Sequence, residues 1–118
     1  MAESEAKLYS FIETAAFLRQ IDRKASVDLL IAIQNDLLKD PLRGDLVSGT
    51  GGARKARIAD PNEQRGKRGS YRYIYLYLEH RGQIYLLYLY GKNEQKDLSA
   101  AQKKLIAEAI QIIKGSFL

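Results

Sequence analysis

Two neighbouring segments near the middle of this chain favour β-strands more strongly than any other part of it. Residues 71–79 alternate tyrosine with arginine, isoleucine and leucine, and residues 83–90 are again aromatic and aliphatic. Arg81 and Gly82 between them predict a hairpin turn. Because both faces of these segments are apolar or aromatic, we expect them to be central strands of a sheet.

The other segments supply helices and further strands around this hairpin. Helical spacing of apolar residues, helix caps and β-prone composition place them, in chain order, at residues 7–12 (strand), 14–21 (helix), 26–39 (helix), 53–59 (strand) and 99–115 (helix). The order β-α-α-β-β-β-α predicts one α+β domain over residues 1–118. We expect a small, mostly antiparallel sheet with an N-terminal helix hairpin and a C-terminal helix.

A glycine-rich connection precedes the strand at 53–59. Gly49, Gly51 and Gly52 permit positive φ and close approach of the backbone, which a phosphate-binding loop also needs. The spacing differs from that of a P-loop, however, and no helix follows. We therefore predict a turn into the next strand.

Positive charge is concentrated in the stretch that holds these strands. The chain carries a net charge of +5. Residues 54–72 contain only two acids, Asp60 and Glu63, against the cations Arg54, Lys55, Arg57, Arg65, Lys67, Arg68 and Arg72. Period-2 alternation places Lys55 and Arg57 on one face of their strand. Such a patch favours a polyanionic partner or substrate.

Several kinds of site are excluded or disfavoured by composition. The chain has no cysteine and a single histidine, His80, which falls beside the predicted hairpin turn. A lone histidine without a cluster of further ligands does not hold a metal, so we predict no metal site and no cofactor. No apolar run reaches the length of a membrane span, and the acidic N-terminus lacks an apolar signal segment. We expect a cytoplasmic protein without a membrane partner.

Arginine, lysine and tyrosine remain as the chemistry-bearing residues. Such a set binds RNA phosphates and stacks on bases. It also suits RNA cleavage without a metal, in which the 2′-hydroxyl attacks the adjacent phosphorus and cations stabilise the charge that grows on the phosphorane oxygens. A lysine whose pKa is lowered by neighbouring cations, or a tyrosine, then moves the protons.

Three elements of the sequence resemble a known family. GTGGARKARIA, GKRGSYRYIY and IYLLYLYGKNEQKDL, in this order and spacing, are similar to toxins of the HigB branch of the RelE/ParE superfamily. The resemblance covers about half of the chain. It implies a compact RelE-like α+β fold and a ribosome-dependent endonuclease that cleaves mRNA. It further implies neutralisation by a cognate antitoxin, usually a small helix-turn-helix DNA-binding protein.

The resemblance also carries over site residues by position. It implies a catalytic set of Lys55, Arg57, Arg72 and Lys92, in which Arg72 stabilises the transition-state phosphate and Lys55 or Lys92 moves protons. The late catalytic tyrosine of better-studied RelE members falls near Leu98, which leaves the general base open. We expect further RNA contacts from Arg54, Arg65, Lys67, Arg68, Tyr73 and Tyr90.

The tyrosines of the central strand also have a structural interpretation. An alternating row such as Tyr71, Tyr73, Tyr75 and Tyr77 is typical of packing between neighbouring strands.

Two other functions fit parts of the same pattern. A ParE-type toxin has this fold but poisons DNA gyrase by binding it, without nuclease chemistry. A non-catalytic protein would bind RNA or ribosomes with steep salt dependence and leave mRNA intact. The density of cations on the central strands favours the nuclease over the gyrase poison.

Overall fold

The computed structural model describes residues 8–24, 27–62 and 71–115, and its elements confirm the α+β class. In chain order they are β1 (Ser10–Glu13), α1 (Ala15–Lys24), α2 (Val27–Lys39), β2 (Asp45–Leu46), β3 (Arg54–Ile58), β4 (Tyr71–Leu78), a 3₁₀ turn (Glu79–Arg81), β5 (Gln83–Gly91) and α3 (Ala100–Gly115).

The five strands form one sheet in the order β1-β5-β4-β3-β2. Among the described strands only β1 and β5 pair in parallel, so the prediction of a mostly antiparallel sheet is confirmed. The strands β4 and β5 occupy its middle, as their apolar faces predict. They are joined through the 3₁₀ turn, where Gly82 adopts a left-handed φ of 63° and its N–H donates to the Glu79 carbonyl.

One face of the sheet is covered by α1 and α2. Phe17 from α1 and Leu29 and Ile33 from α2 pack in a buried cluster with Tyr73 and Tyr75 of β4. Alternation along β4 directs its tyrosines to this face. The packing interpretation of the tyrosine row is therefore confirmed.

The other face of the sheet is covered by α3 over only part of its area. Ile106 and Ile110 of α3 pack against Ile74 and Leu76 of β4 in a second core. A bulge at Ile74 and Tyr75 shifts the register between β4 and β5 within this region. Arg72 at the start of β4 and Arg57 of β3 are on this same face but outside this core.

The connection between α2 and β3 differs in part from expectation. It contains the two-residue strand β2, which the sequence did not indicate because so short a segment has no readable period. The glycine loop that follows is a turn, as predicted: Gly49 and Gly51 have φ of 80° and 85°. Lys114 of α3 donates a hydrogen bond of 2.7 Å to the Gly51 carbonyl and so fills the space beside the loop.

Among the described residues, no helix is both long enough and apolar enough to cross a membrane.

Candidate functional site

A pair of arginines lies side by side on the face of the sheet that α3 leaves open. Arg57 of β3 and Arg72 of β4 are cross-strand partners. Directly opposed residues of an antiparallel pair have Cβ atoms about 5 Å apart, and like charges in such pairs destabilise a sheet. A local choice that opposes folding is expected mainly at functional sites. This pair is therefore the strongest structural indication of a site.

A cleft of about 460 Å³ opens around this arginine pair. Among the described residues, five cations and one carboxylate border it: Arg43, Asp45, Lys55, Arg57, Arg72 and Lys96, with Ala56 between them. The charge and size of the cleft suit an anionic group such as a phosphodiester.

Each side of the cleft is supplied by a different element. Lys55 and Arg57 reach it because β3 alternates, and the pairing of β2 with β3 places Asp45 opposite Lys55. Arg43 precedes β2 and lies 3.9 Å, Nη1 to Oδ1, from Asp36 of α2. Lys96 comes from the segment that joins β5 to α3.

Lys55 is held by an ion pair at the border of the cleft. Its Nζ donates to Asp97 Oδ1 over 3.0 Å. The same oxygen accepts the Leu98 backbone N–H over 2.8 Å. These two hydrogen bonds, that of Lys55 first, lower the pKa of Asp97 below its ordinary value. The carboxylate is therefore ionised near neutral pH, and the lysine contributes a fixed positive charge.

Three predicted site residues, Lys55, Arg57 and Arg72, are brought together by the structure, whereas Lys92 is not. Lys92 is exposed in the turn after β5 and does not line the cleft. In that turn the Gly91 N–H donates to Glu94 Oε1 over 2.7 Å, and the chain then returns to the sheet. Lys96, four residues later, occupies the place at the cleft that was expected for Lys92.

The prediction that Tyr73 and Tyr90 stack on RNA bases is wrong. Tyr73 is fully buried under α1 and α2, on the face opposite the cations. Tyr90 is the cross-strand partner of Arg72 but is only 1% exposed, in the core beneath α3. Neither ring offers a face to a ligand. Burial raises the pKa of Tyr90, and the Asp97 carboxylate acts in the same direction.

The expected RNA contact by Arg54 stays a prediction, and the structure places this residue outside the lining of the cleft. Alternation sends Arg54 to the opposite side of β3 from Lys55, where its Nη1 donates to the carbonyls of Gly44 (2.7 Å) and Leu42 (3.4 Å). Arg54 thus ties the connection after α2 to the sheet. The other predicted RNA contacts, Arg65, Lys67 and Arg68, lie outside the described residues.

Sequence reasoning missed three residues of the cleft: Arg43, Asp45 and Lys96. They arrive through a long-range strand pairing and a reversed chain segment, for which no local period exists. Leu98, the position at which the resemblance led us to expect the late tyrosine, has its side chain buried in the α3 core. Within the described part of the chain, no group of three or more His, Asp or Glu side chains is arranged to hold a metal ion.

No family model matches the sequence. Among solved structures, a free Escherichia coli RelE toxin with two arginine-to-alanine substitutions superposes with a TM-score of 0.51 at 14% identity. The match covers 75% of this chain and 88% of that one. A chain of the RelBE toxin–antitoxin complex from Mycobacterium tuberculosis gives a TM-score of 0.51 at 22% identity, over 71% of this chain and 98% of that one. The chain has the fold of the RelE toxins.

The RelE fold fits the predicted architecture, and it accounts for most of the described elements. Because the likeness spans nearly the full length of both relatives, the whole fold and not a fragment of it is shared. Identity this low leaves the cleft residues to be judged on their own geometry.

Proposed function

We propose that this protein is the toxin of a type II toxin–antitoxin pair and that it inhibits translation by cleaving mRNA on the ribosome. The observation that carries the proposal is the Arg57–Arg72 pair in an open cationic cleft. Two arginines that are cross-strand partners and line one cleft suit contacts to the oxygens of one phosphodiester. The likeness to RelE toxins supports the same assignment. That one relative was solved in a toxin–antitoxin complex supports a cognate antitoxin as partner.

The cleft offers a role for each group in cleavage. The 2′-oxygen of the RNA forms a bond to the adjacent phosphorus, and the bond from phosphorus to the 5′-oxygen of the next nucleotide breaks. Arg72 and Arg57 stabilise the negative charge on the phosphorane oxygens. Asp45, the carboxylate that lines the cleft, accepts the proton from the 2′-hydroxyl, and Lys96 supplies one to the departing 5′-oxygen.

This assignment changes the expected proton movers. Lys55 donates to Asp97 and therefore acts as a stationary cation beside the phosphate. Lys92 lies away from the cleft. No described tyrosine lines the cleft, and Tyr73 and Tyr90 are buried, so the proposed mechanism uses none.

The experiment compares wild type with Arg72→Ala in a purified translation system that contains ribosomes and mRNA. We expect Arg72→Ala to lower the cleavage rate by about a hundredfold or more, because it removes one charge-stabilising donor. Arg19→Ala is the matched control, since Arg19 is an exposed arginine on α1, on the other side of the sheet. Equal cleavage by wild type and Arg72→Ala would overturn the site.

Two further measurements separate the alternatives. Induced expression of the wild type should arrest growth, and expression of Arg72→Ala should not. Supercoiling by purified DNA gyrase should be unchanged by the protein. Inhibition of gyrase with intact mRNA would instead identify a ParE-type toxin, and ribosome binding without cleavage would identify a non-catalytic protein.

A further inference from the structure

The chain segment between β5 and α3 is folded so that one carboxylate reaches Lys55 at the border of the cleft. Glu94 closes the turn after β5 through the Gly91 N–H. Leu98, only 6% exposed, inserts into the α3 core, and Ser99 caps α3. Asp97 lies between these anchors, and its Oδ1 also accepts the Leu98 N–H. One oxygen of the carboxylate is thereby tied to the backbone beside the buried Leu98, while the Asp97 side chain is 58% exposed.

The partner of this carboxylate is a side chain with much conformational freedom. A lysine ammonium is carried on four rotatable bonds, and ordering it costs entropy. Lys55 Nζ is 3.0 Å from Asp97 Oδ1, which defines one location for the charge at the border of the cleft. A charge that is in place before the substrate arrives needs no reorganisation when the phosphorane forms. Asp97 itself does not line the cleft.

We infer that Asp97 is a positioning residue, which holds the Lys55 ammonium at the place where it stabilises the reacting phosphate. The inference rests on the proposed function and adds to it a residue that does not touch RNA. Removal of the carboxylate then has two effects of opposite sign. RNA binding becomes tighter, because one negative charge near the phosphates is lost. Cleavage becomes slower, because the lysine charge is no longer held in place.

The opposite changes in RNA affinity and in cleavage rate distinguish this role of Asp97 from its other possible roles. If Asp97 only stabilises the fold, its loss weakens binding and cleavage together. If Asp97 only repels polyanions from the cleft, its loss makes RNA binding tighter and cleavage faster. Only a positioning residue gives tighter binding with slower chemistry.

The test compares Asp97→Asn with Glu108→Gln, a change that removes an exposed carboxylate from α3 and serves as the control. Binding of a short single-stranded RNA is followed by fluorescence anisotropy, and cleavage of ribosome-bound mRNA is measured in single turnovers at saturating toxin. For Asp97→Asn we expect a lower Kd and a cleavage rate constant reduced by about ten- to a hundredfold. Glu108→Gln should match the wild type in cleavage rate, and Asp97→Glu should recover part of the lost rate. A parallel loss or a parallel gain in both measurements for Asp97→Asn overturns the inference.

A second measurement does not depend on RNA cleavage. Nuclear magnetic resonance of the lysine ammonium groups should show an ordered Lys55 Nζ signal in the wild type that is lost or shifted in Asp97→Asn and retained in Glu108→Gln. Lys55→Met should raise the pKa of the Asp97 carboxyl, since the lysine is the main cause of its lowering. An unchanged Lys55 signal in Asp97→Asn refutes positioning even if the wild type cleaves mRNA. Absence of cleavage by the wild type, with the lysine signal behaving as expected, refutes the proposed function alone.

Discussion

Neighbouring cations of β3 have different roles because their side chains point to opposite faces of the sheet. Lys55 and Arg57 point to the cleft, whereas Arg54 between the glycine loop and Lys55 points to the other face and binds two backbone carbonyls. All three are cations within the five residues of β3, and composition alone would assign them the same role. The side of the sheet, set by a period of two, decides which of them can meet a phosphate.

The buried tyrosines of β4 lie on one face of the sheet but differ in the hydrogen bonds of their hydroxyl groups. Tyr75 is buried, and its hydroxyl accepts the Gly44 N–H (2.9 Å) and donates to the Pro41 carbonyl (2.8 Å). The hydroxyl of Tyr73 is also buried but has no hydrogen-bond partner among the described residues. A buried hydroxyl without a partner costs stability, and one that satisfies two backbone groups contributes to it.

We therefore expect opposite effects from the same substitution at these two tyrosines. Tyr75→Phe should lower the free energy of unfolding by about 1–3 kcal/mol, because it leaves a buried donor and a buried acceptor unsatisfied. Tyr73→Phe should leave it unchanged or raise it, since the substitution removes an unsatisfied group. Urea unfolding of the two variants beside the wild type measures both. An equal loss of stability in the two variants would contradict this account of the α1–α2 core.

At the scale of elements, hydrogen bonds hold both ends of α3 against the rest of the fold. The place of the helix on the sheet therefore limits how much of that face it covers. At its start the Ser99 hydroxyl accepts the Gln102 N–H, and the Gln102 side chain accepts the Ser99 N–H, which is a capping box. At its end Arg81 donates to the last carbonyls of the helix, and Lys114 donates to Gly51. The helix thus spans from the segment beside the cleft to the glycine loop.

Loss of the N-terminal cap should loosen the first turn of α3, which follows the segment that holds Lys96. We expect Ser99→Ala to destabilise the protein by about 1 kcal/mol, and Ser99→Asp to retain most of the wild-type stability because aspartate also caps helices. Hydrogen exchange of the α3 amides measures the loosening of the helix, and urea unfolding measures the change in stability. If Ser99→Ala and Ser99→Asp lose the same stability, the side-chain cap does not contribute.

At the scale of the whole molecule, the sequence predicts more of the fold than of the site. Strong periods and caps indicate the central hairpin of β4 and β5 and the three helices, because these signals are local. The strand β2 has only two residues, and the parallel pairing of β1 with β5 joins distant parts of the chain, so neither leaves a local signal. Which face of β4 packs against α1 and α2 is also a long-range outcome, and it places Tyr73 in the core.

The residues of the cleft also divide into those that local sequence patterns predict and those that only long-range contacts bring in. Lys55, Arg57 and Arg72 are predicted correctly as neighbours because alternation within β3 and the position of Arg72 at the start of β4 are local. Arg43 and Lys96 reach the cleft only when β2 pairs with β3 and the segment after β5 folds back. A cluster assembled from four parts of the chain can therefore be recognised in full only in three dimensions.

The uneven distribution of charge over the molecule should be measurable as the salt dependence of RNA binding. For single-stranded nucleic acid, the slope of log K against log salt concentration is about −0.7 for each phosphate that is neutralised. Arg57→Gln removes a cation from the cleft, and we expect it to make the slope shallower by about 0.7 and to weaken binding most at low salt. Lys39→Gln removes an exposed cation at the end of α2, on the opposite side of the sheet, and should leave the slope unchanged. Titrations of a short RNA at several salt concentrations give both slopes. A slope that becomes equally shallow in the two variants would show that RNA responds to the net charge of the protein and not to the cleft, because both variants lower that charge by the same amount.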